Sequence, residues 1–340
     1  MTETRRRRLA FLALAALLPL ELLAAASLGS VPLPASGVVR SLLAGLGLGT
    51  SPLGETGEVI LWSVRLPRVL LAALVGGGLA LVGAALQSLF RNPLADAGLL
   101  GVGPGAALGA VLAVSFGWAH ERFLALTFAA GVGAFAALLL IYALAHLGGR
   151  PSLQGLLLTG LAVGALAAAA TAVLLVAIEE QRVRAVLFWL AGGLEGRGWE
   201  HAAIAGTFVL GGGAALGLLA RPLDVLSLGE EEAAALSLPV HATRLGVFGL
   251  CALIAGPVTA VAGAIPFVGL VAPHALRPLV GPVSRHLLPA SFLAGAALVV
   301  LADLAARSFG VHVELPLGSV TAFVGAPYFL IALRTHEGRG

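Results

Sequence analysis

The 340-residue chain is 59% hydrophobic and only 11% charged, where an ordinary soluble domain carries about 25% charged residues. With a mean hydropathy of +1.01, it excludes water as its main solvent. Its net charge of +3 comes without a basic stripe interleaved with aromatics, which speaks for contact with anionic lipid rather than nucleic acid. The single cysteine, Cys251, lies in an apolar run, so no intrachain disulfide can form and helix packing must hold the fold.

The first element, MTETRRRR followed by Leu9 to Leu28, has the basic flank and apolar core of a secretory signal, and Ala24 to Ser27 mimics a cleavage site. Its core is longer than a signal core and further apolar runs follow, so an uncleaved first span is expected, with the arginines held in the cytoplasm by the positive-inside bias. Nine more spans follow: Val69 to Leu89, Leu99 to Phe116, Phe123 to Leu147, Leu156 to Ile178, Ala202 to Leu219, Leu245 to Ala264, Ile265 to Leu279, Leu287 to Ala306 and Leu317 to Leu333. None alternates in polarity as a barrel strand would. The eighth is short and carries Pro266, Pro273 and Pro278, which predicts a broken helix shielded by its neighbours.

The expected architecture is therefore all-α, a polytopic membrane protein with about ten transmembrane helices, residues 1–340 forming one transmembrane domain with both termini cytoplasmic. This topology puts Arg5 to Arg8, Arg91, Arg150, Arg221, Arg244, Arg277, Arg285, Arg334 and Arg339 inside and the other eight of the 20 arginines outside, an outer excess that needs its own explanation. Between the first two spans, Gly29 to Val64 reads as a long Pro/Gly-containing external segment, and Val186 to Leu194 as an apolar patch lying along the interface. Gly101, Gly105 and Gly109 stand four apart, as close packing of helices through small residues requires.

Charged groups at membrane depth are scarce. Glu21 and Asp303 lie near outer span ends and read as locally paired rather than as a proton relay, and His274 reads as a lone packing histidine at a span end. No catalytic constellation and no metal-ligand cluster emerges. The segment GTSPLGET at Gly49 to Thr56 imitates the spacing of a phosphate-binding loop, but Glu55 occupies the lysine position and the chain contains no lysine at all. ATP hydrolysis must then belong to a separate subunit, with no cofactor bound by this chain. A docking surface for that subunit is expected in the cytoplasmic segment 223–244, LDVLSLGEEEAAALSLPVHATR, where three acids open an Ala/Leu helix and complement its dipole and Pro239 ends it.

Several motifs in order then identify a family: RLPR at Arg65 to Arg68, QSLFRNPLAD at Gln87 to Asp96, LSLGEEEAAALSLP, FVGLVAPHALR at Phe267 to Arg277, LADLAAR at Leu301 to Arg307 and ELPLGSVTAFVGAPYF at Glu314 to Phe329. From Val64 to Leu333 the chain resembles the FecCD-type permeases of ABC importers for iron-siderophore complexes, haem and cobalamin. The resemblance implies a type II ABC importer permease in the bacterial inner membrane that homodimerises, rests on two ATP-binding cassette subunits and receives cargo from a periplasmic or lipid-anchored binding protein. It implies that Arg65, Arg68 and Arg307 pair with carboxylates of that binding protein, which accounts for cations outside. Asn92 and Leu94 then belong to the cytoplasmic gate, and Gly229, Glu230, Ala233 and Leu236 to the ATPase-coupling helix. Where many relatives follow that helix with Leu-Gly, this chain has Leu236-Ser237. An iron complex is the expected cargo, with cobalamin as the alternative; a secondary transporter is disfavoured by the scarcity of buried charge, and a membrane enzyme by the missing catalytic groups.

Overall fold

The computed structural model describes residues 3–118, 123–147, 153–309 and 314–337. Helix α1 (Glu3–Ser27) is followed by α2 (Ala35–Gly45). Next, α3 (Gly54–Val59) runs through a π-helical turn at Ile60–Arg65 into α4 (Leu66–Leu89), making one continuous helix of 36 residues. The wider turn has a local cause: Pro67 has no N–H and its ring would press on the carbonyl four residues back, a conflict that an opened ladder relieves. Helices α5 (Val102–Ser115), α6 (Phe123–His146) and α7 (Leu153–Ala177) pack together, and α8 (Glu180–Leu190) touches α5. The remaining helices are α9 (Trp199–Leu218), α10 (Ala220–Leu228), α11 (Glu230–Ala235), α12 (Val240–Ala262), α13 (Val268–Val280), α14 (Ser284–Phe309) and α15 (Leu317–Glu337).

Among the described residues, seven helices are long and apolar enough to cross a membrane, and α5, α13 and α15 add three shorter apolar ones. These ten correspond one to one with the expected spans. At about 1.5 Å per residue, the 14 residues of α5 and 13 of α13 reach roughly 20 Å, short of the ~30 Å hydrocarbon core. Irregular backbone makes up the difference: a 3-10 turn at Ala97–Leu100 before α5 and residues 263–267 before α13. Leu100 and Ile265 in these stretches are buried against other helices, which is how non-helical backbone survives at membrane depth. The break in the eighth span thus falls at 263–267, which includes Pro266, whereas Pro273 and Pro278 sit inside α13.

The core is organised around α4, which is buried over most of its surface and packs on α14, α13, α9 and α12. Such contact needs bare backbone. A Cβ on Gly76 would overlap the carbonyl of Gly295 in α14, one on Gly295 would overlap Gly76 and Ala80, and one on Gly83 would overlap the Gly269 backbone in α13. Gly105 and Gly109 similarly meet Gly133 and Ala129 of α6. Gly101 does not complete that stripe. It caps the 3-10 turn in the left-handed region (φ 66°) and faces the Gly160 carbonyl of α7.

The external segment is more ordered than its Pro/Gly content suggests. Leu33, Val38 and Leu61 form a small outer core beneath α2. The Trp62 indole N–H donates to Ser41 Oγ at 3.0 Å, and Ser41 donates to Glu58 Oε2 at 2.9 Å. The phosphate-loop imitation lies here, with α3 starting at its Gly54.

Gly76→Ala is expected to drive α4 from α14 and lower stability by about 2–5 kcal/mol through strain and lost packing. Gly249→Ala on α12, whose Cβ would meet nothing within 4 Å, should leave stability unchanged or raise it by up to ~1 kcal/mol. Denaturant unfolding of the two purified variants separates these outcomes.

Candidate functional site

The expected docking cations lie together at the end of the bundle where α4 begins, and all three are turned inward. Arg65, at the end of the π-turn, is buried; its Nη1 donates to the carbonyls of Ala26 (2.9 Å) and Ser27 (2.8 Å), and its Nη2 to that of Val31. Arg307 near the end of α14 donates from Nη2 to Ala25 O at 3.1 Å and from Nη1 to Leu28 O at 3.4 Å. Both therefore satisfy carbonyls at and just beyond the C-terminus of α1, the end where the helix dipole favours positive charge. Gly29 makes room, since a Cβ there would stand 2.9 Å from Arg65 Nη2.

Arg68 is held by two acids. Its Nε and Nη2 donate to Asp303 Oδ1 at 3.0 and 2.9 Å, and its Nη1 and Nη2 donate to the two oxygens of Glu314 at 3.1 and 2.7 Å. Asp303 also pairs with Arg307 one turn along α14, Nε to Oδ2 at 3.0 Å. Two arginines and two carboxylates thus form a neutral quartet, as the cost of burying charge demands. The Asp303 side chain is 2% exposed and that of Glu314 35%, so Glu314 is the member that meets solvent. Asp303 is paired locally, as its position suggested. Glu314 and Asp303 were not singled out as site residues, although the four-residue spacing of Asp303 and Arg307 within LADLAAR is a readable ion-pair signal.

At the other end of α4 the chain turns sharply. Arg91 adopts φ 49°, Asn92 N donates to Gln87 O at 3.2 Å and Arg91 N to Ser88 O at 3.4 Å, a helix end closed through a left-handed residue. Asn92 Oδ1 then accepts from Leu94 N at 2.9 Å and its carbonyl from Ala95 N at 3.1 Å, the side-chain turn expected of Asn before Pro. Asn92 and Leu94 are exposed. Beside them opens a cavity of about 580 Å³ lined by Gln87, Arg91, Ser227, His274 and Arg277 among others. Arg277 Nη2 donates to Gln87 Oε1 at 3.0 Å while Gln87 Nε2 reaches Gly269 O at 3.3 Å, tying α4 to α13. His274 packs against a neighbouring helix, as expected, but not at a span end. It sits mid-helix in α13, its ring edge-on to Tyr328 of α15 at 6.0 Å, because α15 crosses that face.

The expected coupling segment forms α10 and α11 with Gly229 between them at φ 151°, ψ 159°. Glu230, Glu231 and Glu232 occupy the first turn of α11, Glu230 pairs with Arg244 of α12, and Ala233 is buried. Leu236 is 65% exposed and Leu228 64%. Pro239 does not end this helix; it precedes α12 as its N-cap. The end is made by Ser237 at φ 59°, with Ser237 N donating to Ala234 O (2.9 Å) and Leu238 N to Ala233 O (3.0 Å). Serine thus takes the left-handed position that glycine fills most easily.

A fold that is helical throughout the described residues, with seven long and three shorter apolar helices, is a multi-pass membrane permease. It matches the FecCD transport family over residues 17–335 and belongs to that family, as an ABC importer permease. It is 41% identical over 285 residues to the cobalamin import system permease protein BtuC of Halobacterium salinarum, an alignment covering 84% of this chain and 76% of that one. It is equally 41% identical over 282 residues to the hemin transport system permease protein HmuU of Yersinia pestis, covering 82% and 84%. A solved structure of a metal-chelate type ABC transporter in an inward-facing conformation superposes with a TM-score of 0.83 at 32% identity, over 96% of this chain and 99% of that one.

Asp303→Ala leaves two largely buried arginines without their shared acid and is expected to destabilise the protein by about 3–5 kcal/mol, far more than Glu314→Gln at the rim. Ser237→Gly removes left-handed strain and should stabilise by about 1 kcal/mol. Chemical denaturation of the purified variants in detergent checks the order and the sign.

Proposed function

We propose that this chain translocates an iron complex, a siderophore or haem, as the permease of a binding-protein-dependent importer driven by a separate ATPase. The observation that carries the mechanism is the placement of two sites at the two ends of one rod. Arg65 and Arg68 flank the start of α4, and the Asn92–Leu94 turn follows its last residue. At about 1.5 Å per residue, the 24 residues of α4 extend roughly 36 Å, and their burial on α14 and α13 lets displacement at one end reach the other without bending. Alternating access then follows from docking outside, nucleotide-driven movement of α10 and α11 inside, and opening of the turn at Asn92 and Leu94. The exposed Leu228 and Leu236, beside the acidic start of α11, are the surface for the ATPase. Two copies of the permease with two ATPase copies, both termini cytoplasmic, complete the assembly, and no cofactor is needed in this chain. The iron-complex reading draws on the relative named for hemin and the metal-chelate type structure. A cobalamin reading is favoured by the equally similar relative named for cobalamin.

Docking on the outer cations requires a carboxylate of the binding protein to reach Arg68 where Glu314 now sits. Glutamate substitutions at Arg65 or Arg307 would uncap α1 and mix two effects, so Glu314→Gln is the cleaner probe. It should tighten binding-protein docking about fivefold, the ~1 kcal/mol of a partly exposed ion pair, measured by surface interferometry on nanodisc-embedded protein. Unchanged or weaker docking would remove Arg68 from the interface. Leu236→Asp should abolish co-purification of the ATPase while the permease still folds. Vesicles reconstituted with the ATPase and binding protein and offered ferric siderophore, hemin or cobalamin decide the cargo by which one accumulates with ATP.

A further inference from the structure

Between α9 and α14, above Leu81 of α4, runs an open groove of about 450 Å³. Its walls are Val209, Gly213 and Gly217 on one side and Leu288 and Phe292 on the other, and α9 and α14 leave it uncovered along the membrane. Glycine is what keeps it open. A Cβ on Gly217 would meet nothing within 4 Å, so the trough at this point exists because side chains are missing, not because neighbours fill it.

The groove ends where α14 begins, at Ser284 and the exposed Arg285. Ser284 is 1% exposed and its Oγ has no hydrogen-bond partner among the described residues. An orphaned buried hydroxyl is a group that favours an added acceptor. The first N–H of α14 is already used, donating to Asp224 Oδ1 at 2.7 Å. Arg285 turns one nitrogen to His286 at 3.4 Å and keeps its other donors. The start of α1 lies at this end too, Glu3 Oε1 standing 3.2 Å from where a Cβ on Gly281 would be. An apolar trough therefore opens onto the exposed Arg285 at the same end of the bundle as the start of α1.

From this arrangement we infer that the groove is a specific site for an anionic phospholipid, its acyl chain laid along Gly213 and Gly217 and its phosphate at Arg285 and the start of α14. Anionic headgroups suit this end through the Arg285 guanidinium, since Asp224 already takes the first N–H at the positive pole of the helix. Because α10 and α14 both border this end of the groove, through Ala220 and Ser284, a bound lipid would brace the coupling helices against the bundle.

The test uses delipidated full-length protein and native mass spectrometry with phosphatidylglycerol or phosphatidylcholine of identical acyl chains. The wild type should retain phosphatidylglycerol about tenfold more than phosphatidylcholine, because both present a phosphate but choline's quaternary ammonium cancels the net negative charge that faces the Arg285 guanidinium. Arg285→Gln should erase that preference, and Gly217→Leu, whose side chain enters open space, should reduce retention of both lipids while melting as the wild type does. Equal retention of the two lipids by the wild type, or retention unmoved by both substitutions, would overturn the site. Full competition by glycerol phosphate would also overturn it, since the groove would then hold a free anion and not a lipid.

Discussion

Everything in this molecule hangs on the direct backbone contact of α4 with α14 and α13. Between helices in lipid there is no water to expel, so association depends on how closely two backbones approach. Gly76 against Gly295 and Gly83 against Gly269 allow an approach that a single methyl would prevent. With α4 enclosed this way, its two ends are fixed relative to each other, and the polar groups at each end inherit that fixed geometry.

At the outer end the consequence is electrostatic. Four charges meet where little water reaches them, and they persist because each arginine faces an acid or a row of carbonyls. The arginines do double duty in this arrangement. Arg65 and Arg307 close the C-terminus of α1, which would otherwise leave its last carbonyls unsatisfied, and Arg307 also pairs with Asp303. Glu314 limits how freely Arg68 can be shared, since it is both the ligand of Arg68 and the exposed member of the group.

Elsewhere the consequence is conformational. Arg91, Ser237 and Phe267 all adopt left-handed backbone without being glycine, the first two at the edges of segments that the transport cycle is proposed to move. Such residues are tolerated where surrounding packing over-determines them. Phe267 shows how: it opens α13 and lies against Gly325 of α15, where any Cβ would overlap it. The strain is local, and the helices on either side remain regular.

The ten spans, the short helix after Gly229 and the turn after α4 can be read directly from the chain, because span length and apolarity follow from the thickness of the hydrocarbon core, and Gly, Pro and Asn set local geometry through their own stereochemistry. The left-handed Ser237 was out of reach of that reading, since serine takes this conformation only when its neighbours require it. Also hidden were the inward turn of Arg65, Arg68 and Arg307, the entry of Glu314 into their network and the link from Gln87 to Arg277. These join residues up to 282 positions apart, and hydropathy carries no information about which polar group faces which across a bundle. Sequence alone determined what must lie in the membrane, because solvation acts on each residue by itself; only the tertiary structure decided which buried charges meet, because pairing depends on helix positions that glycine contacts set elsewhere in the fold.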